Sequence, residues 1–278
     1  MSLENSKAIV LSGFARGGTN IVWNILQSHP GVVAPPNETG YLFRRTPKLW
    51  LCTKAFKLAQ GYMTEAINNS LQQRKMSSLK HYDNRYVSED LLYTPEQMRK
   101  SLLCLKSVNH DIDLTELLAE VYPDLFFIGL SRNGYALADG YIRRGKTAKE
   151  AGKLYQSMAD KMQKISESID YFKLIKFEDV LINPFSEAEN LFKFLQLNPT
   201  SINKIRLKSK RVIGVDGSHE VKLGDENRKY WFNEDTIGQI LDSTVNQKQA
   251  DRLSHEDQKT FTQEARSALE YFGYEVAG

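Results

Sequence analysis

Leu11-Ser12-Gly13-Phe14-Ala15-Arg16-Gly17-Gly18-Thr19-Asn20 follows at once on the apolar run Ala8-Ile9-Val10-Leu11. A buried strand that breaks into a glycine-rich turn and reopens as a helix is built to grip phosphate. The turn aims successive backbone N–H groups inward, and the helix N-terminus adds partial positive charge. Arg16 sets a permanent cation inside the turn, and Thr19 and Asn20 offer side-chain donors or a helix cap. Gly13 and Gly18 have the separation of the nucleotide-kinase loop G-x-x-x-x-G-K-[ST], but Thr19 fills the lysine position and the cation comes early, at Arg16. The dinucleotide fingerprint G-x-G-x-x-G is absent too. A triphosphate–metal complex is poorly served by such a loop. A shorter phosphate group, held by Gly17, Gly18, Thr19 and Asn20 together with Arg16, fits better.

Around this loop the chain reads as an ordinary globular protein: 278 residues, 41% hydrophobic and 26% charged. A net charge of +3 is too small to argue for a nucleic-acid partner. Cys52 and Cys104 make no disulfide framework. No apolar run approaches the roughly 18 residues of a membrane span, and the first strand starts too early to leave room for a leader. The expectation is a cytoplasmic protein with no stable membrane insertion. The five histidines are scattered, so no metal site is expected.

Apolar runs at 8–11, 32–34, 102–105, 125–130 and 172–175 read as strands, and helical patterns at 19–27, 114–121, 135–143, 148–169, 185–195 and 256–272 alternate with them. Residues 46–100 are polar and helical in pattern, an insertion placed to cover a substrate; 208–230 are glycine-rich and charged without periodicity. With no repeat and no low-complexity linker, 1–278 read as one domain. The alternation predicts a three-layer α/β fold, a central parallel sheet flanked by helices, with its ligand beyond the carboxyl ends of the strands. Residues 16–20, 106–110 and Ser131-Arg132 all fall just past strand ends, so the fold should bring them to one edge.

These residues carry a resemblance. Gly13-Phe14-Ala15-Arg16-Gly17-Gly18-Thr19, with His29-Pro30 and then Glu38, resembles the 5′-phosphosulfate loop of sulfotransferases. Phe126-Phe127-Ile128-Gly129-Leu130-Ser131-Arg132-Asn133-Gly134 resembles that family's strand ending in Arg-Asp-Pro, whose arginine holds the donor's 3′-phosphate. Lys106-Ser107, Lys176-Phe177-Glu178-Asp179-Val180, Asn183-Pro184 and Phe194-Leu195 follow in matching order, so the likeness covers most of 7–197. It implies a P-loop-like sulfotransferase fold, 3′-phosphoadenosine 5′-phosphosulfate (PAPS) as co-substrate without a metal, and a small-molecule, glycan or lipid acceptor. Two departures stand out. Gly140, preceded by Asp139, occupies the place of a serine that shares the 3′-phosphate, and Asn133-Gly134 replaces Asp-Pro. Arg228-Lys229 loosely resembles the family's C-terminal Arg-Lys phosphate contact.

Sulfuryl transfer moves a group of spread negative charge from a phosphate to a hydroxyl or amine, so the protein mainly positions and neutralises. Arg16 would sit at the bridging oxygen. The acceptor's proton needs a base: Glu38, the favoured candidate, or His110, which follows Lys106 by four; Lys106 joins them as a catalytic candidate. Trp50, Tyr62, Tyr82, Tyr86 and Trp231 are candidates to line the acceptor site, though aromatics at such spacing are more often core. A nucleotide-binding kinase of related fold and a non-catalytic member of the fold remain as alternatives.

Overall fold

The structure is a computed structural model and describes residues 6–55, 60–77, 93–199, 202–209, 211–213, 219–221, 223–226 and 228–277. Among these, strand β1 (Lys7–Gly13) leads through the phosphate-type loop into α1 (Thr19–Leu26) and the two-residue strand β2 (Val32–Val33). Helices α2 (Thr39–Arg45), α3 (Pro47–Ala55), α4 (Gln60–Ser77) and α5 (Pro95–Lys100) come before β3 (Leu102–Val108). A 3-10 helix (Asn109–Leu114), α6 (Thr115–Val121), β4 (Asp124–Ser131), α7 (Gly134–Ile142), α8 (Ala148–Ser168) and β5 (Tyr171–Lys176) complete the sheet. Then come α9 (Phe177–Ile182), α10 (Pro184–Phe194), and the strands β6 (Ile205–Lys208), β7 (Arg211–Ile213), β8 (His219–Val221) and β9 (Lys229–Phe232). Helices α11 (Val245–Ala250) and α12 (His255–Tyr271) follow.

The five-stranded sheet has the order β2-β3-β1-β4-β5, and every pairing in it is parallel. Strand β1, at the centre, is apolar on both faces, and Ala8 through Leu11 are fully buried; its neighbours β3 and β4 are covered on both faces in the same way. Ala8 and Val10 face one core with Leu103, Leu105 and Phe127, closed by Met158 and Met162 of α8 and Phe261 and Leu269 of α12. Ile9 and Leu11 face the other with Cys104, Phe126 and Ile128, closed by Val22 and Ile25 of α1, Leu191 and Phe192 of α10 and Leu207 of β6. This is the three-layer α/β arrangement that the strand–helix alternation predicts.

Three local differences bear on the site. Strand β3 runs on to Val108, so Lys106 and Ser107 lie inside the strand rather than after it, and both are buried. Helix α1 has Gly18 as its N-cap in the left-handed conformation with no side-chain cap, so Thr19 and Asn20 do not cap it. The stretch 208–230 carries antiparallel pairs, β6 with β9 and β7 with β8, whose three- and four-residue strands are too short to show a period. Tyr82 and Tyr86 lie outside the described residues, as do parts of 46–100 and of 208–230.

Candidate active site

The loop after β1 is pinned from below. Phe14 is fully buried, stacked on Tyr155 at 4.9 Å between ring centroids and edge-on to Phe272 at 6.0 Å. Asn109 Oδ1 accepts from the Ala15 N–H at 2.8 Å, and the Tyr141 hydroxyl donates to the Ala15 carbonyl at 3.0 Å. Arg16 and Gly18 both take positive φ, 68° and 88°, which turns the chain so that its amides face outward. Gly18 has a second reason to be glycine: a Cβ there would stand 2.2 Å from the Phe177 ring. Among the described residues no protein acceptor meets the N–H groups of Gly18, Thr19 or Asn20. The Arg16 side chain is exposed and makes no hydrogen bond to a described residue. An N-terminal turn whose amides are left open, with a loose guanidinium beside it, is an anion cradle.

Lys106 comes to this loop from β3. Its Nζ donates to Asn20 Oδ1 at 2.7 Å, pairs with Glu38 Oε1 at 3.0 Å and lies 4.5 Å from the centroid of the Trp23 ring. The lysine side chain is only 4% exposed, whereas that of Glu38 is 47% exposed. A buried cation thus holds a half-open carboxylate at the start of α2. Asp111 fixes that helix, accepting from the Gly40 N–H at 3.2 Å and pairing with Arg44 at 3.3 Å. His110, between Asn109 and Asp111, is exposed and makes no hydrogen bond to a described residue. Its neighbours Asn109 and Asp111 position the loop and α2.

Arg132 arrives at the end of β4. Its Nε donates to Asn246 Oδ1 at 2.7 Å, and its two amino groups donate to the Arg16 carbonyl and to Gln249 Oε1. The Phe177 ring lies 5.2 Å from the guanidinium. Burial pulls its pKa down to about 10, against the opposing pull of Glu178, Tyr274 and Asp139, so it is a cation at neutral pH. Glu178 organises the surroundings: it accepts from the Asn133 N–H at 3.0 Å, from the Asn246 amide and from the Tyr274 hydroxyl at 2.7 Å. Asn246 and Gln249 belong to α11, which sequence reasoning passed over because six polar-dominated residues show no period. Glu178 was visible in the quoted Lys176–Val180 stretch but without a role.

Gly140 is buried on α7, yet a Cβ at that position would meet nothing within 4 Å. The carboxylate of Asp139 turns to Arg252, at 2.6 and 3.2 Å, and to Arg143 at 3.6 Å. Arg144 folds back on the Gly140 carbonyl at 2.8 Å; burial and the neighbouring Arg16 and Arg143 charges lower its pKa. The side of α7 that faces the loop is therefore rich in guanidinium. Arg228 and Lys229 lie elsewhere. Arg228 is exposed and pairs with Asp225 at 3.2 Å, and Lys229 donates to Gln27 at 3.3 Å, at the far end of α1.

A cavity of about 610 Å³ joins these parts. Its wall includes Arg16, Gly18, Thr19, Asn20 and Glu38, Arg132 and Gln249, and the apolar side chains of Phe177, Leu181, Leu207, Ile240, Leu241 and Val245. Lys106 stands behind Glu38. Gly17, His110, Gly140, Arg228 and Lys229 are not part of the wall. No group of three or more metal-ligating side chains occurs among the described residues, and no helix among them is long and apolar enough to cross a membrane.

An anion-binding loop at the carboxyl edge of a parallel sheet, walled by arginine and an apolar pocket, defines an α/β protein of the phosphate-loop class. The chain belongs to the sulfotransferase family, whose sequence profile matches residues 8–201. The sulfotransferase domain from the curacin biosynthetic pathway superposes with a TM-score of 0.56 at 13% identity, over 98% of this chain and 99% of that one. The sulfotransferase domain from the Synechococcus PCC 7002 olefin synthase gives 0.53 at 16% identity, over 98% and 96%. At these identities the likeness is one of fold. No curated protein sequence matches the chain.

Proposed function

We propose that this protein transfers a sulfuryl group from PAPS to a hydroxyl or amine acceptor. The observation that carries the reading is the meeting, on the wall of one cavity, of an open anion cradle with Glu38, while Lys106 bonds both Glu38 and Asn20 from behind. The donor supplies a sulfuryl group on a phosphate leaving group; a sulfur–oxygen bond to phosphate breaks and one to the acceptor forms. The amides of Gly18, Thr19 and Asn20 and the Arg16 guanidinium surround the 5′-phosphate and offset charge as it accumulates on the bridging oxygen, whereas the Gly17 N–H is already bonded to the Phe14 carbonyl at 2.9 Å. Glu38 takes the acceptor's proton, and Lys106 holds that carboxylate in place from behind. Of the two base candidates Glu38 alone borders the cavity. Arg132 and the arginines beside Gly140 take the 3′-phosphate, and the apolar side from Phe177 to Val245 takes the adenine. None of these roles needs a metal.

Calorimetric binding of adenosine 3′,5′-bisphosphate, against ADP and ATP with and without Mg²⁺, tests the donor. A metal-independent preference for the bisphosphate of at least tenfold supports it. Preference for ATP with Mg²⁺ would turn the reading to a kinase of related fold, and no binding of any nucleotide to a non-catalytic member.

A further inference from the structure

Each nitrogen of the Arg132 guanidinium has a protein acceptor, and the three acceptors are held to different degrees. Nη1 donates to the Arg16 carbonyl. That peptide cannot move alone, because the adjoining Ala15 is bonded through its N–H to Asn109 and through its carbonyl to Tyr141. Nε donates to Asn246 Oδ1, while the Asn246 amide nitrogen donates onward to Glu178. Nη2 donates to Gln249 Oε1, but the Gln249 amide nitrogen makes no hydrogen bond to a described residue. Asn246 is buried and lies off the cavity wall; Gln249 is partly exposed and borders it. Rotation about the Gln249 side-chain bonds would carry its carboxamide off the guanidinium with α11 left where Asn246 ties it.

We propose that Gln249 is a placeholder for the donor's 3′-phosphate: it caps Arg132 at the cavity wall of the empty protein and gives that position up to a phosphate oxygen when the nucleotide enters. Resting on the PAPS reading above, this makes Gln249 a determinant of selectivity at that site. A buried guanidinium left short of an acceptor is costly, and Gln249 removes that cost while no ligand is present. The exchange on binding is favourable, because the carboxamide is neutral whereas phosphate brings opposite charge to a fork of N–H donors. A nucleotide without a 3′-phosphate leaves the Arg132–Gln249 bond intact and gains nothing there. Neutrality at position 249 is essential, since a carboxylate would pair with Arg132 and hold it against the incoming phosphate.

The test is calorimetry of adenosine 3′,5′-bisphosphate and of adenosine 5′-monophosphate on the wild-type chain, Gln249→Ala, Gln249→Met and Gln249→Glu, with melting curves to check that each variant folds. Gln249→Met keeps the unbranched stem and loses the acceptor. Both neutral variants are expected to bind the bisphosphate about fivefold more tightly than wild type, the weight of one hydrogen bond that no longer has to be given up, and the monophosphate within about twofold of it. Gln249→Glu should weaken the bisphosphate by at least about tenfold and erase its preference over the monophosphate. A side chain that merely braces Arg132 gives the opposite sign. Bisphosphate affinity that falls or stays the same in the two neutral variants overturns the proposal and leaves the donor reading standing, as does an equal change for both nucleotides. A chain that binds the bisphosphate in no form overturns the donor reading, and the placeholder with it.

Discussion

Arg16 holds the tip of the loop with a positive φ and a side chain that touches no described hydrogen-bond partner, so the fold does not use its guanidinium. Arg16→Ala is expected to leave Tm within a few degrees of wild type and to reduce kcat by about 10²–10³-fold, the scale for removing one charge-stabilising donor from a transition state; steady-state turnover and a melting curve check both halves. Glu38 and His110 separate in the same assay. Glu38→Gln keeps the shape of the α2 N-terminus and should lower turnover by about 10²–10⁴-fold with bisphosphate binding retained, while His110→Asn, an exposed change off the cavity, should stay near wild type. The reverse result would return the proton to His110. At Gly140 the open space where a Cβ would stand makes an unusual prediction: Gly140→Ser has room for its hydroxyl, and Asp139 is already turned to Arg252. One added hydrogen bond of about 1 kcal/mol should tighten adenosine 3′,5′-bisphosphate about fivefold in calorimetry; weaker binding would place the 3′-phosphate away from α7.

Elements were legible in proportion to how strongly their own residues decide them. Strands β1 and β4 are unbroken apolar runs that only a doubly covered sheet can accept, and α8 announces itself by period and by the Thr147–Glu150 capping box. The phosphate-type loop was legible because glycine, cation and helix start coincide. A charged residue normally ends an apolar run, so Lys106 reads as lying past its strand; the tertiary partners Asn20 and Trp23 of α1 and Glu38 before α2, which let it stay buried inside β3, come from two distant segments and leave no local trace. Helix α11 was illegible for the same reason: Asn246 and Gln249 matter through Arg132, 114 and 117 residues away. That contact predicts a separable effect. Asn246→Ala leaves both the Arg132 Nε and one Glu178 oxygen short of a buried partner, which should destabilise the protein by about 1–3 kcal/mol. Bisphosphate affinity should fall with it, because the guanidinium loses its fixed angle. Urea midpoints and calorimetry on one preparation separate the two losses.

At the scale of the whole molecule, two cores grip one sheet from opposite sides, and the loop at the carboxyl edge inherits its rigidity from both. Phe14 is anchored in the core of α8 and α12, while Phe177, which closes over Gly18, belongs to the core of α1 and α10. The helical stretch α3–α5 hangs on the first core through Ile67 and Leu71 and returns to β3 through one polar joint. There Lys75, 1% exposed, sends its Nζ to the carbonyls of Arg99 at 3.0 Å and Ser101 at 2.5 Å. Burial lowers the pKa of that ammonium to about 8 from an ordinary value of 10.5. The sign of the consequence follows from linkage. Between pH 8 and 10.5 the unfolded chain keeps the lysine proton that the folded chain has lost, so stability contributed by this site rises with pH across that window and is flat below it. Lys75→Met removes the titration and leaves both carbonyls without their donor, so it should lower stability at pH 7 by about 1–3 kcal/mol. Urea unfolding from pH 7 to 10.5 should then show the gap between wild type and variant widening as pH rises. A constant gap would mean that Lys75 stays protonated in the folded protein, held by its two carbonyls more strongly than burial opposes it.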